Sequence, residues 1–154
     1  MIVHIFGPCN SGKTTLRNRL KELHPEFESW CIDDFRRKIG DGTLEKELKA
    51  QDAYVEAIGQ VENGFFESSG IGRCAMNSLW KRKGDSFIVI IDTPVEVCVQ
   101  RIRPGKYDGI PFPFADSDNE IIERAHRILN SDRYRLIALD IPILHLDGTL
   151  ELDE

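Results

Sequence analysis

A glycine-rich segment near the amino terminus places the tightest limit on how this chain can fold. It follows the apolar run Ile2 to Phe6 and fits the pattern G-x-x-x-x-G-K-[ST], reading Gly7-Pro8-Cys9-Asn10-Ser11-Gly12-Lys13-Thr14. Glycines allow a loop between a strand and a helix to turn several backbone N–H groups inward, and the helix N-terminus adds a dipole that favours an anion. Because an apolar strand precedes the segment and an amphipathic helix follows it, the pattern predicts a loop that binds phosphate groups.

The side chains of this loop have separate expected roles. Lys13 is placed to reach the outer phosphates of a nucleoside triphosphate, and we expect its side chain to be exposed. The Thr14 hydroxyl can coordinate Mg²⁺ beside phosphate oxygens, and Thr15 can hold the inner phosphate. The loop from Gly7 to Thr15 therefore predicts ATP and Mg²⁺ as cofactors, with ATP or GTP left open as the preferred nucleotide.

Apolar runs alternate with amphipathic segments along the rest of the chain. We predict strands at 2–6, 29–32, 71–75, 87–91 and 143–146, and helices at 13–23, 35–39, 44–68, 95–103 and 119–129. Largely apolar strands that alternate with helices are typical of a parallel sheet covered on both faces, so the fold class is α/β. The length suits one domain over residues 1–154. Thr93, Pro94 and Glu96 predict a capped start for the fourth helix.

The composition limits the compartment and the partners. No run reaches the roughly 18 apolar residues of a membrane helix, and the amino terminus does not resemble a signal peptide, so we expect a cytoplasmic protein without a membrane partner. The four cysteines form no Cys-x-x-Cys pair, which argues against a zinc or redox motif. A net charge of −6 provides no overall attraction for a polyanion and favours a small-molecule acceptor. We expect a monomer or a homodimer.

A pair of acids follows the second predicted strand, in the run Trp30-Cys31-Ile32-Asp33-Asp34-Phe35-Arg36-Arg37. Ligands of open α/β sheets bind beyond the carboxyl ends of the strands, where Asp33 and the phosphate loop would both lie. A carboxylate there can take the proton of an attacking hydroxyl, and an arginine can grip an acceptor phosphate. We predict Asp33 as the general base and second Mg²⁺ ligand, and Arg36 as the clamp. Asp34 is the alternative base, and either acid can instead cap the next helix.

A basic cluster ends the fourth predicted helix, where a segment rich in proline and glycine begins. Residues 102–117 are typical of a mobile lid, and an arginine that it carries over the transferring phosphate would offset developing negative charge. We predict Arg101 as a catalytic residue and both Arg101 and Arg103 as nucleotide contacts. The alternative is a solvated basic helix end. His4 and His145 lie in apolar strands and are predicted to be core histidines.

These motifs resemble those of the small P-loop kinases, especially polynucleotide kinase domains, zeta-toxin-like phosphotransferases and nucleoside or nucleotide kinases. The resemblance rests on the phosphate loop, on Asp33-Asp34-Phe35-Arg36, and on Ile90-Ile91-Asp92-Thr93-Pro94-Val95-Glu96 leading to Arg101. It implies a three-layer P-loop NTPase fold with a five-stranded parallel sheet of order 2-3-1-4-5, helices on both faces and a lid. It also implies that Asp33 is the base and that Arg36 contacts the acceptor. The turn Asp147-Gly148-Thr149 either borders the adenine, as in similar kinases, or is a simple exit turn.

One departure from these kinases concerns the third strand, which usually ends in an aspartate near the magnesium site. The predicted third strand leads instead into Ala75-Met76-Asn77-Ser78, where no acid stands. Asn77 or Ser78 could bind a magnesium-bound water, or the metal could depend on Thr14 and Asp33 alone. Asp92 is the nearest substitute acid, although a structural role is favoured for it.

The expected function is an ATP-dependent kinase that moves the terminal phosphoryl group to a hydroxyl or phosphate of a small acceptor, with a nucleoside or nucleotide favoured. One alternative is a polynucleotide 5′-hydroxyl kinase, whose acceptor is a nucleic-acid 5′ end. A nucleotide hydrolase would need a dedicated water-positioning residue, which the sequence does not reveal. A nucleotide-binding module without turnover would be consistent with the missing third-strand acid.

Overall fold

Strands and helices alternate along the described part of the computed structural model, which comprises residues 1–105, 109–111, 120, 123, 126–127, 136 and 138–150. A short 3-10 turn at Lys83–Asp85 precedes the fourth strand. The elements are β1 (Ile2–Phe6), α1 (Lys13–Leu23), β2 (Glu28–Cys31), α2 (Ile32–Ile39), α3 (Leu44–Gln60), β3 (Gly64–Ser68), α4 (Gly72–Lys81), β4 (Ser86–Asp92), α5 (Val95–Gln100) and β5 (Ile143–Asp147).

The five strands form one parallel sheet in the order β2-β3-β1-β4-β5. This order confirms the sheet that the kinase resemblance implied. β2 and β3 lie on one side of β1, whereas β4 and β5 lie on the other, so the strand order reverses at β1. Because ligands of open α/β sheets bind beyond the carboxyl ends of the strands at such a reversal, the segment after Phe6 lies where a binding cleft is expected.

The core lies on both faces of the sheet. Val3 and Ile5 of β1 pack towards α1, in a cluster with Phe65, Val89, Ile91, Leu16 and Leu20. The alternate residues Ile2 and Phe6 belong to the clusters of the opposite face, which include residues of α2, α3 and α4. Successive side chains of a strand point to opposite faces, so β1 is apolar throughout because helices cover it on both sides.

The third strand differs from the prediction. We predicted it at 71–75, but β3 is Gly64–Ser68, and residues 72–75 begin α4. The predicted helix 44–68 ends at Gln60, because Asn63-Gly64 is a turn signal and the aromatic residues after it favour a strand. Gly70 and Gly72 have φ of 75° and 66°, left-handed values that separate β3 from α4.

The buried face of α3 excludes two of its large apolar residues. Leu44 and Leu48 are 54% and 37% exposed. The residues that α3 buries are Glu47, Ala50, Tyr54 and Ile58. This face keeps the three- and four-residue spacing of a helix and contains a buried acid.

The other element boundaries differ by a few residues. α2 begins at Ile32, three residues before its predicted start, and α5 ends at Gln100 and not at residue 103. Most of the predicted helix 119–129 and of the predicted lid 102–117 lies outside the described residues. No helix within the described ranges is long and apolar enough to cross a membrane.

Candidate active site

A cleft of about 490 Å³ opens beside the carboxyl ends of the strands. The phosphate loop from Cys9 to Thr15 forms its floor. One side, called the α2 side below, is formed by residues 31–33, Arg36 and residues 67–69. The opposite side, called the β5 side, is formed by Ile91, Arg101, residues 146–148 and Leu150. The fold thus brings the predicted residues Lys13, Thr14, Asp33, Arg36 and Arg101 to one cleft, whereas Gly7, Pro8 and Arg103 do not line it.

The backbone of the phosphate loop adopts two left-handed conformations. Asn10 has a φ of 62°, and Gly12, the residue before α1, has a φ of 105°. Such values suit glycine and asparagine better than other residues, which explains why these types stand here. The Ser11 hydroxyl is buried and has no hydrogen-bond partner in the described part of the chain. The loop therefore has the shape that the sequence pattern predicts.

The Lys13 side chain lies across this loop. Its Nζ donates to the Pro8 carbonyl over 2.6 Å, and the residue is 9% exposed. The expectation of an exposed side chain is wrong, because the residue is buried and its Nζ is hydrogen-bonded back to the loop. The ammonium group still lines the cleft, where its charge can attract phosphate oxygens.

Glu67 is the acid that the sequence analysis missed at the third strand. It lies at the end of β3 and is 4% exposed. Thr14 Oγ1 donates to Glu67 Oε1 over 2.8 Å. Arg17 Nε lies 2.9 Å from Glu67 Oε2 as an ion pair, and neither of these two atoms has a hydrogen-bond partner among the described residues. The conclusion that the third strand lacks an acid was wrong because the strand had been predicted too late in the chain.

The two residues suggested in place of that acid lie elsewhere. Asn77 and Ser78 belong to α4 and do not line the cleft. The Ser78 hydroxyl donates to the Cys74 carbonyl over 2.7 Å, a bond within the helix. The turn signal Asn63-Gly64, followed by two aromatic residues and then an acid, is the pattern that could have identified β3 and Glu67.

The oxygen atoms around Thr14 fit a magnesium ion. Mg²⁺ takes hard oxygen ligands and is usually held by one or two carboxylates together with substrate phosphates and water. The Glu67 carboxylate, which accepts from the Thr14 hydroxyl through Oε1 and is ion-paired with Arg17 through Oε2, lies beside Thr14 and can serve such a site. Within the described ranges, no three His, Cys, Asp or Glu side chains cluster as a metal cage. The donor set therefore suits a metal shared with phosphate.

The adjacent acids Asp33 and Asp34 have different surroundings. Asp33 lines the cleft, and its Oδ1 accepts a hydrogen bond from Arg36 Nη1 over 2.8 Å. Asp34 Oδ2 accepts from the backbone N–H of Cys31 over 3.0 Å, which caps the start of α2. Asp34 does not line the cleft. The geometry thus separates a cleft-facing acid from a capping acid, as the capping-box spacing allows.

Arg36 is held between two carboxylates. Its Nη1 bonds Asp33, while Nη2 donates to Glu47 Oε1 over 2.8 Å and Nε donates to Glu47 Oε2 over 3.0 Å. Burial lowers the pKa of Arg36, but the hydrogen bonds and charges of Glu47 and Asp33 outweigh it and raise the pKa above its ordinary value. Burial raises the pKa of Glu47, and the bond to Arg36 more than reverses this effect. Both groups are therefore charged.

Arg101 connects the phosphate loop to the turn that follows β5. Its Nη2 donates to the Gly148 carbonyl over 2.7 Å, and its Nη1 lies 3.4 Å from the Asn10 carbonyl. Thr93 Oγ1 donates to the Ser11 carbonyl over 2.9 Å. The prediction that Thr93 caps the fourth helix was wrong: Pro94 is the residue before α5, and the Thr93 hydroxyl is used by the loop.

The predictions for the histidines have opposite outcomes. His4 is fully buried, and burial lowers its pKa to about 3. It is a core histidine, as expected. His145 is 50% exposed and bonds Asp92 over 2.8 Å, so the prediction of a core position for it was wrong. β5 is the last strand in the sheet order, and its residues are half-buried or exposed. All four cysteines are free thiols.

A parallel sheet of order 2-3-1-4-5, with a phosphate loop between β1 and α1, defines the fold of the small P-loop kinases. The fold that the resemblance implied is therefore confirmed. The chain is similar to a gluconokinase from Sinorhizobium meliloti 1021, with 15% identity, a TM-score of 0.69, and coverage of 97% of this chain and 83% of that chain. It is also similar to deoxyadenosine kinase from M. mycoides, with 15% identity, a TM-score of 0.57, and coverage of 99% and 93%.

A third similar structure comes from the Pnkp1/Rnl/Hen1 RNA repair complex. That chain is 18% identical with a TM-score of 0.66, and the match covers 87% of this chain but 45% of that one. No protein-family model and no curated protein sequence matches this chain. At these low identities the structural likeness establishes the fold and leaves the acceptor undetermined.

Proposed function

We propose that this chain is an ATP-dependent kinase that transfers the terminal phosphoryl group to a small acceptor, with nucleosides and nucleotides favoured. One observation carries the proposal: Asp33 and the phosphate loop line the same cleft. A kinase needs a group that binds the donor phosphates and a separate group that receives the acceptor's proton. The similar solved structures, which are kinases by name, support the same reaction class.

The donor side consists of the phosphate loop and the groups bonded to it. The N-terminus of α1, with Gly12 before it, offers backbone N–H groups and a favourable dipole to the phosphates. Lys13 and Arg101 add positive charge beside them. Thr14 and Glu67 would hold Mg²⁺, which would neutralise charge on the bridging phosphate oxygens.

The acceptor side is the α2 side of the cleft. Asp33 Oδ1 is bonded to Arg36, whereas its Oδ2 has no partner in the described part of the chain. We assign Asp33 the role of accepting the proton from the attacking hydroxyl. Asp34 is assigned no catalytic role, since its carboxylate caps α2.

A polynucleotide 5′-hydroxyl kinase is the second candidate, favoured by the Asp33-Asp34-Phe35-Arg36 run and by the similarity to the RNA repair structure. It predicts that a 5′-hydroxyl oligonucleotide is phosphorylated far better than a mononucleotide, with a steep loss of affinity as salt is added. A binding module without turnover would be consistent with a third strand that lacks an acid. Glu67 supplies that acid, which favours turnover.

The test is a transfer screen with labelled ATP and Mg²⁺ across nucleosides, nucleotides, sugars and a 5′-hydroxyl oligonucleotide, read by mass spectrometry. We expect a phosphorylated product from at least one small acceptor. A Lys13→Met protein serves as the control for contaminating kinases. Bound nucleotide without transfer to any acceptor, together with steady release of inorganic phosphate, would instead identify a hydrolase and contradict the proposal.

A further inference from the structure

The charges on the α2 side of the cleft restrict the acceptor. Arg36 is the positively charged residue that lines this side within the described ranges, and Asp33 and Glu67 are its negatively charged residues. Arg36 does not present an open guanidinium edge to the cleft as a phosphate clamp would. Two of its nitrogens are bonded to Glu47 and a third to Asp33, and the side chain is 17% exposed.

Glu47 holds Arg36 in this arrangement by accepting its hydrogen bonds. It comes from α3, is 4% exposed and does not line the cleft. Its Oε1 accepts from both Arg36 Nη2 and Gln51 Nε2, each over 2.8 Å. An acceptor anion that captured Arg36 would leave Glu47 as an uncompensated buried carboxylate, which is strongly unfavourable. Glu47 therefore opposes the use of Arg36 as an anion clamp.

A further acid, Glu67, adds to the negative charge on the α2 side of the cleft. Glu67 forms an ion pair with Arg17, so the two arginines near this side face three carboxylates, those of Asp33, Glu47 and Glu67. The remaining polar side chains that line the α2 side include Ser68 and Ser69. Hydroxyl groups bind other hydroxyls without requiring a charge, whereas a phosphate or carboxylate brought here would meet an excess of negative charge.

From this arrangement we infer that the acceptor is an uncharged polyhydroxyl compound, a nucleoside or sugar, and not a molecule that carries a phosphate or carboxylate. We also infer that Glu47 is a positioning residue that sets this preference by occupying Arg36. The inference rests on the proposed kinase function and narrows it. Asp33 remains the group that accepts the proton, and Arg36 holds Asp33 in place without binding the acceptor.

Matched acceptor pairs test the inference on the wild-type protein. A nucleoside is compared with its 3′-monophosphate, since both carry the same attacking 5′-hydroxyl, and glucose is compared with gluconate, since both carry the same terminal hydroxyl. We expect kcat/KM for the uncharged member of the productive pair to be higher by about tenfold or more. The two pairs also distinguish a nucleoside from a sugar as the source of the hydroxyl.

The Glu47→Gln variant tests the positioning role. It keeps the shape of the side chain but removes the charge that neutralises Arg36, so the ratio of kcat/KM for the uncharged and charged members should fall by about tenfold. The Glu47→Asp variant should restore the wild-type ratio. Glu45→Gln is the matched control, because Glu45 lies on the same helix, is exposed and pairs with Lys49, and it should leave the ratio unchanged.

The possible outcomes distinguish a failure of this inference from a failure of the proposed kinase function on which it rests. A higher kcat/KM for the charged members would overturn the inference and leave the kinase proposal standing. Unchanged selectivity in a folded Glu47→Gln protein would overturn the role of Glu47. Transfer to neither member of either pair, with nucleotide binding confirmed by calorimetry, would overturn the inference and count against the proposed function. The wild-type comparison decides the acceptor class even if Glu47→Gln does not fold.

Discussion

Thr14 Oγ1 donates a hydrogen bond to Glu67 Oε1 over 2.8 Å, and this bond joins the phosphate loop to the end of β3. The same carboxylate is paired with Arg17 of α1. A hydroxyl that coordinates a metal keeps its orientation through the group that accepts its hydrogen bond, so under the proposed function Glu67 would orient Thr14 and add negative charge near a bound Mg²⁺.

The first prediction is that Glu67→Gln lowers phosphoryl transfer by about 10- to 100-fold, the usual effect of losing a group that orients a metal ligand. The amide oxygen can still accept from Thr14, but the charge is lost, so half-maximal activity should need more Mg²⁺. The measurement is a Mg²⁺ titration of the transfer rate. Glu56→Gln is the control, since Glu56 is exposed and pairs with Lys81 away from the cleft. An unchanged Mg²⁺ requirement would show that Glu67 has no metal role.

The second prediction is that Lys13→Met reduces kcat by roughly 100-fold or more, because the ammonium group stabilises charge that develops on the phosphates. Methionine preserves the buried stem, so the melting temperature should remain near that of the wild type. Lys38→Met, which removes an exposed lysine of α2, should retain full activity. Wild-type turnover in folded Lys13→Met protein is the result that would remove the phosphate-binding role of Lys13.

The third prediction concerns the adjacent acids Asp33 and Asp34, which have different hydrogen-bond partners. Asp33→Asn should lower kcat by roughly 100-fold or more while nucleotide affinity persists, because an amide cannot accept the proton. Asp34→Asn should leave kcat nearly unchanged and cost at most about 1 kcal/mol of stability, since asparagine also caps helices. Steady-state kinetics and urea unfolding on both proteins check this. A loss of kcat in Asp34→Asn alone would transfer the base assignment to Asp34.

The fourth prediction concerns Gly148, which packs against Thr93, the residue whose hydroxyl donates to the phosphate loop. A Cβ added at Gly148 would lie 1.7 Å from Thr93 Oγ1 and 2.7 Å from the Ser11 carbonyl oxygen. Gly148→Ala should therefore break the bond between Thr93 and Ser11, cost about 1–3 kcal/mol of stability and weaken nucleotide binding. Thermal melts and calorimetry with an ATP analogue measure both effects.

Gly84→Ala is the matched control for this substitution, because nothing lies within 4 Å of a Cβ at Gly84. It should change neither the melting temperature nor the affinity for the analogue. If Gly148→Ala behaved like Gly84→Ala, the turn after β5 would not be packed against the loop.

The fifth prediction follows from the buried His4, because burial lowers its pKa to about 3 from the ordinary histidine value of 6.5. The unfolded chain binds a proton below pH 6.5 and the folded chain does not, so the free energy of unfolding should fall as the pH drops from 6.5 towards 3. The slope from this residue is about 1.4 kcal/mol per pH unit. His4→Phe should reduce this dependence in urea unfolding between pH 7 and pH 4. Identical slopes in the two proteins would show that His4 does not contribute.

Residues that act with their neighbours in the chain could be predicted from the sequence. The phosphate loop is one continuous segment, and its glycines, its lysine and the flanking strand and helix all lie within the first 23 residues. The backbone conformation of such a segment depends on local residue types, so the pattern alone indicated both the loop and α1. The first strand and the α/β class were predicted for the same reason.

Residues that act through distant partners required the tertiary structure. Glu67 reaches Thr14 across 53 positions in the chain, and Glu47 reaches Arg36 across 11. Both acids were hidden in a predicted long helix, where glutamate is common and gives no signal. The sheet pairing places Glu67 beside the loop, and the packing of α3 on α2 places Glu47 behind Arg36. Because these contacts depend on which elements pack together, the sequence determined the phosphate loop, and only the tertiary structure decided which carboxylates surround it.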